Sequence, residues 1–446
     1  MEKQKIKLSD HFDYDRLIRF TLPSVMMMVI SSVYSIVDGL FISNFAGSDG
    51  FAAVNLIMPV TMLVSCIGFM GGTGGSALIS KTLGEKRDDE ARDQFSFIIY
   101  AVLALAVIIG TVVFIFVPLI PDVMGAEGVI REYCIIYGRI LVPALPFFML
   151  QILFQNFLVV AERPKMGMVI AISSGVTNIV LDALFVAVFK WGVAGAAAAT
   201  VIGQSIGGII PLVYFIMKKN HLLWFTKAKW NGFTIKKTAA NGFADFINNA
   251  SVSLIGIVFN KVLMQNIGSD GVVAYGIVMY VNYIATGIFM GYSVGIAPIY
   301  GYNLGAENYD EIKNLFKKSM TVLAAFAVLL VVLIKVFADG LAAIFVNYDD
   351  GLMKLTTNAI RLYSWSFMLC WFNIHAAAMF VALNNGPVSS VLSFTRTLVF
   401  QLGSVLLLPI IIGTDGIWLS ITLAEMLAAA VSVAALLRNR EKYQYI

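Results

Sequence analysis

Charge is what this sequence has least of. Asp, Glu, Lys and Arg make up 13% of its 446 residues, where a soluble chain carries about 25%. So little charge excludes a soluble globular protein. The net charge of +4 is too modest to point to a nucleic-acid partner. Cysteine is scarce too. Cys66, Cys134 and Cys370 all lie in apolar context, which excludes a disulfide framework and a metal motif and leaves buried thiols. The Gly-Lys-Ser/Thr signature of a phosphate loop is missing, so no nucleotide engine is expected within the chain. No small-residue cleavage site follows the first apolar run. The stretch before it, MEKQKIKLSDHFDYDRLIRF, is too long and too charged for a signal peptide. The first helix is therefore expected to be retained.

What the sequence has in abundance is apolar residues, 59% of the chain, with a mean hydropathy of +0.84. They fall in long runs, most of them long enough to cross a hydrocarbon layer about 30 Å thick at about 1.5 Å per residue. Outer-membrane barrels need alternating segments of about ten residues instead. The fold class is an all-α polytopic membrane protein. Spans are expected at 17–42, 51–79, 95–119, 133–160, 166–189, 193–217, 239–264, 271–300, 316–346, 358–383, 388–412 and 416–437. We number them 1 to 12. An even number places both termini on one side. The termini and every second loop together hold 23 of the 31 Lys and Arg residues, Lys3, Lys5, Lys218 and Lys219 among them. By the positive-inside rule both termini are expected in the cytoplasm of a bacterial inner membrane.

The chain reads as a duplication. Shifted by 221 residues, GSDGFAAVNLIMPV falls on GSDGVVAYGIVMYV, and LGEKRDDEARDQF on LGAENYDEIKNLF. Between 47 and 95, 14 of 49 positions are identical; chance gives roughly three or four. GVAGAAAATVIGQ likewise matches TDGIWLSITLAE. Each repeat holds an even number of spans, so the two run parallel and form two pseudo-symmetric six-helix lobes. Residues 1–217 form the first lobe, 218–238 a basic linker and 239–446 the second. Transporters use such an arrangement to hold a site between lobes that rock past one another. In span 2, Gly68/Gly72 and Gly71/Gly75 form G-x-x-x-G pairs, the mark of close helix packing.

Two acids stand inside these runs. A carboxylate within the bilayer costs about 2.5–3.5 kcal/mol on insertion scales and marks a functional site. Asp38 lies in span 1, with Tyr34 one turn earlier on the same face. Asn178 and Asp182 stand four apart in span 5, stacked on one face. Two carboxylates facing each other in a low-dielectric site cannot both stay ionised cheaply. Such a pair suits a proton. With an amide oxygen it equally suits Na⁺, and Asp38, Asn178 and Asp182 would then be its ligands.

The sequence resembles the multidrug and toxic compound extrusion (MATE) family over nearly its whole length. The resemblance rests on twelve spans in two lobes and on Leu22-Pro23-Ser24 followed by Asp38. It also rests on the loops LGEKRDDEAR and LGAENYDEIK, on AERPKM before span 5, and on Asn178 and Asp182 within it. It implies a cation-coupling site at Asp38, Asn178 and Asp182, joined by Tyr137 of span 4 and Thr200 of span 6. It also offers Pro23 as a hinge, against the plainer reading of a proline at a helix start. One branch of the family uses acids in spans 7 and 10. Here span 10 has none, offering Asn373 and His375 instead, which favours the first-lobe site and H⁺ over Na⁺.

The substrates expected are small organic cations, moved by alternating access, with H⁺ or Na⁺ as coupling ion and no other cofactor. No nucleotide or nucleic-acid partner is expected, and a monomer would suffice. Asp245 supplies a charge for a cation to pair with. Tyr34, Tyr275, Met279 and Tyr283 supply aromatic and adaptable surface, and His375 is a further candidate. The plainer reading is a solvated helix start for Asp245, packing for the others, and a structural ion pair for Glu425 and Arg396. The nearest rival function is a lipid-linked oligosaccharide flippase, which needs a cationic cavity; a channel is the remoter one.

Overall fold

The structure, a computed structural model, describes residues 6–217, 221–346 and 349–446. Lys3, Lys5, Lys218 and Lys219 of the orientation count lie outside the described residues. Among the described residues no strand forms. Twelve helices are long and apolar enough to span a membrane. They are Tyr14–Phe45, Asp49–Gly84, Asp88–Phe116, Gly128–Val160, Pro164–Val188 and Gly192–Met217 in the first lobe. In the second they are Gly232–Asn266, Ser269–Gly305, Tyr309–Val336, Asp350–Ala382, Gly386–Ile412 and Thr414–Tyr443.

Several spans start earlier than their apolar runs, because a side-chain cap sets the first turn. Asp13 accepts from the Arg16 N–H at 2.8 Å, Asn231 from Thr234 at 3.1 Å and Asn308 from Glu311 at 3.2 Å. Span 7 thereby takes in residues 232–238, which the sequence assigns to the linker. Span 9 stops at Val336, where the sequence reading carries it to 346. A separate helix, Ala338–Val346, follows with Asp339 in its first turn, a favourable place for an acid. Spans 4 and 10 each carry a short 3₁₀ turn at matching places, Val142–Ala144 and Ser364–Ser366. Pro143 and Pro146 interrupt the hydrogen-bond ladder in span 4. In span 10 the Ser364 hydroxyl turns back onto the Arg361 carbonyl at 2.8 Å.

Within the first lobe span 1 packs on 5, 2 on 3 and 4, and 6 on 4 and 5. In the second, 7 packs on 11, 8 on 10, and 12 on 10 and 11. The glycines of span 2 fit this scheme: Gly68 and Gly72 lie against Met149 and Asn156 of span 4, and Gly71 against Val102 of span 3. The lobes meet where span 1 lies on span 8 and span 2 on span 7, contacts that the repeat makes equivalent.

Spans 2 and 8 also meet across the lobes, at the end that carries the termini. A Cβ at Gly84 would overlap the Tyr302 carbonyl oxygen, and one at Gly305 the Lys81 carbonyl oxygen. The two contacts, both of span 2 with span 8, are repeat mates, backbone against backbone. A Cβ at Gly39, Gly256 or Gly276, toward the opposite ends of spans 1, 7 and 8, would meet nothing within 4 Å. The N-terminal segment straps the closed end. The Leu8 N–H donates to Glu162 Oε1 at 3.0 Å, and the Phe12 N–H to Glu311 Oε1 at 3.0 Å. His11 Nδ1 lies 2.6 Å from Glu311 Oε2, and Lys318 donates to the Phe12 carbonyl at 2.6 Å. Leu8 and Phe12 are buried. Residues 8–12 thus join a loop of one lobe to the first turns of span 9 in the other.

Candidate functional site

Spans 1, 4, 5 and 6 gather a polar cluster inside the first lobe. Spans 5 and 6 are held together by the Ser174 hydroxyl, which donates to the Gly203 carbonyl at 2.7 Å. Asn178 packs on Gly203, where an added Cβ would stand 3.1 Å from the Asn178 Cβ. One turn on, Asp182 is fully buried, and directly after it the chain leaves α-helical geometry for a π-helical stretch, Ala183–Val188. Such a widening is common at functional sites. Span 1 brings Asp38, also buried, until the two carboxyls face each other. Carboxylates only accept, so that contact closes only when one of the two carries a proton.

Tyr137 of span 4 is fully buried beside both acids and faces Thr200 of span 6. Neither hydroxyl has a partner in hydrogen-bond geometry. The same is true of both Asp182 oxygens, Asp38 Oδ1, and both polar atoms of Asn178. Buried polar groups are nearly always paired, so this many open valences in one place mark a candidate site. Its free oxygens fit a proton or a small hard cation. Among the described residues no three His, Cys, Asp or Glu side chains form a metal-holding group. Tyr34 stands beside Asp38 and packs over Gly175 of span 5. The five residues expected at the coupling site therefore come together, with Tyr34 at the edge.

The substrate candidates do not come together. Asp245 is the fourteenth residue of span 7, so it is not at a helix start. Its carboxyl meets Thr73 of span 2 and Asn248 at the junction of the lobes. Tyr275 is stacked on Phe259 at 4.4 Å, and Met279 packs on the same core of the second lobe. His375 is 1% exposed, 3.5 Å from the Tyr300 hydroxyl and beside the Tyr292 ring. Tyr283 alone of these is exposed; its carbonyl accepts from Ser32 of span 1 at 3.1 Å. Pro23 is buried in the third turn of span 1, and the helix runs through it. That position removes a backbone donor in mid-helix and rules out the helix-start reading.

The second lobe has its own cluster on spans 10, 11 and 12. Arg396 donates from Nε and Nη2 to Glu425 Oε1, each at 2.9 Å. Asn373 donates to Glu425 Oε2 at 2.7 Å and Gln401 to Oε1 at 3.2 Å, while Ser432 donates to Asn373 at 2.9 Å. Arg396 and Gln401 lie in a second π-helical stretch, Thr395–Gln401. The sequence points to the ion pair. It carries no signal for Gln401, Ser432 or either π-helical stretch, because neutral polar residues are ordinary in spans and the apolar pattern runs on unbroken.

A family model described as MatE matches residues 23–184 and again 246–407. Multidrug export protein MepA of Staphylococcus haemolyticus (strain JCSC1435) is 25% identical over 430 residues, covering 96% of this chain and 94% of that protein. Among solved structures, a MATE protein in complex with MaL6 superposes with a TM-score of 0.92 at 22% identity, covering 98% of each chain. The outward-facing conformation of a multidrug resistance MATE family transporter of the MOP superfamily gives 0.91 at 22% identity and the same coverage.

Proposed function

The chain belongs to the MatE family, and on that premise we propose that it exports small organic, mostly cationic compounds in exchange for a coupling cation, H⁺ in preference to Na⁺. MATE proteins are multi-pass membrane transporters, not enzymes. The observation that carries the reading is the unpaired cluster at Asp38, Asn178, Asp182, Tyr137 and Thr200. A proton shared between Asp38 and Asp182 satisfies both acids with one ion, which favours H⁺. The cation enters from the outer side, at the open ends of spans 1, 7 and 8, and loads the first lobe. With the opposite end closed at Gly84 and Gly305, this conformation corresponds to the outward-facing state. Both termini then lie in the cytoplasm.

Drug and cation compete through the shape of the lobe. A loaded cluster favours the state that releases drug outward, and drug bound in the inward state favours return of the cation. Asp245, at the lobe junction, supplies a carboxylate for the cationic part of the substrate. The flippase reading gains no support. Arg396 is committed to Glu425, so it is not a free cation for a pyrophosphate.

The test is ethidium movement in proteoliposomes under an imposed pH gradient and then an imposed Na⁺ gradient. Movement under the pH gradient alone is expected. Movement under Na⁺ alone would reverse the assignment of the ion, and movement under neither would overturn the antiporter.

A further inference from the structure

The connection between the lobes does not hang in water. Arg92 of span 3 donates to the Leu222 carbonyl at 3.2 Å and lies 3.6 Å over the Trp224 ring. The Thr226 N–H donates to Ser96 at 2.9 Å, its hydroxyl to Asp93 at 2.6 Å, and its carbonyl accepts from the Tyr100 hydroxyl at 3.2 Å. Phe225 stacks on Tyr100. The segment therefore lies along the start of span 3, against side chains from Arg92 to Tyr100. Span 3 changes character along that stretch. Asp88, Asp89, Glu90, Arg92 and Asp93 come first, and from Phe95 to Phe116 no charge follows. The segment thus reaches the level where headgroups give way to acyl chains.

Two large aromatics are left bare at this level. Trp230 is 80% exposed, with its ring edge-on to Phe97, and Phe233 is 62% exposed. Among them stand Lys227, Lys229 and Lys236, all exposed, and no acid occurs between 221 and 244. Exposed tryptophan is at home at the membrane boundary, and each lysine beside an anionic surface is worth about a fivefold preference.

We propose that residues 221–236 form a binding surface for anionic phospholipid, with the headgroup phosphate held by Lys227, Lys229 and Lys236 and Trp230 and Phe233 set into the acyl boundary. The surface commits to lipid because the exposed cations and the bare aromatics alternate within residues 227–236. A soluble acidic partner would engage the lysines and leave the aromatics unexplained.

The test uses the full chain in phosphatidylcholine vesicles that carry a small, equal fraction of brominated phosphatidylglycerol or brominated phosphatidylcholine. Tryptophan emission is read for the chain and for W230F, and the difference isolates Trp230. Brominated phosphatidylglycerol is expected to quench Trp230 at least about twofold more than brominated phosphatidylcholine. K227Q/K229Q/K236Q should remove that preference, and K165Q/K313Q/K317Q, equal in charge, should keep it. Equal quenching by both lipids, quenching by neither, or loss of the preference in the control variant would each overturn the proposal.

Discussion

Spans 4, 5 and 6 of the first lobe and 10, 11 and 12 of the second are repeat mates, and each trio carries a buried polar cluster. The first cluster is unpaired at Tyr137, Asn178, Asp182 and Thr200. The second is closed, with Glu425 accepting from Arg396, Asn373 and Gln401 at once. A guanidinium fixed to the chain holds the charge of Glu425 in the second lobe; in the first, both Asp182 oxygens are without a hydrogen-bond partner. The duplicated lobes thus differ in how their buried acids are paired. A buried charge pair of the second kind is a structural brace whose loss leaves an uncompensated charge.

The comparison breaks most visibly at Arg396. Arg396→Ala should cost about 3–5 kcal/mol, since it strands Glu425, and thermal unfolding in detergent will read the loss. Replacing Arg396 and Glu425 together with apolar residues of like volume should recover most of it. The two ends of the lobe junction come next. Gly84→Ala or Gly305→Ala should destabilise the closed end by about 1–3 kcal/mol, while Gly276→Ala, facing open space, should change little. Spin labels on the loops after spans 2 and 8 should move apart only in the first two variants.

Asp182→Asn then tests the open cluster from the other side. It should leave the unfolding temperature unchanged or raised, because it removes a buried acid without breaking a pair. Gradient-driven export should fall at least about tenfold. Equal destabilisation by Asp182→Asn and Arg396→Ala would erase the contrast between the lobes. The smallest effect is expected at the strap. Glu311→Gln should weaken its hold on Phe12 and His11 by about 1 kcal/mol, read as faster trypsin cleavage at Arg16 and Arg19.

Much of this was legible before any coordinates. The long apolar runs announce the spans, and the 221-residue shift pairs them. Asp38 and Asp182 stand out because a carboxylate in hydrocarbon is costly enough to need a reason. The linker boundary was misplaced because the first turns of span 7 are polar, and only Asn231, as a cap, marks their start. The aromatics of span 8 are ambiguous in sequence for a related reason. Tyr275 and Met279 fit a binding surface and a lobe core equally well by composition, and packing on Phe259 decides for the core. The closing glycines, Gly84 and Gly305, sit in loop motifs that read as turns. Their crossing joins residues of different lobes, which no local pattern encodes.

That crossing also bears on how the closed end can open. Side chains can rotate aside one at a time and open a crack, but carbonyls pressed against glycine Cα atoms have no rotamer to change. Each contact is matched by its mate on the same pair of helices, so neither yields without a movement of the whole lobe. In a transporter, such an end opens by a swing of the lobe and not by the loosening of single side chains.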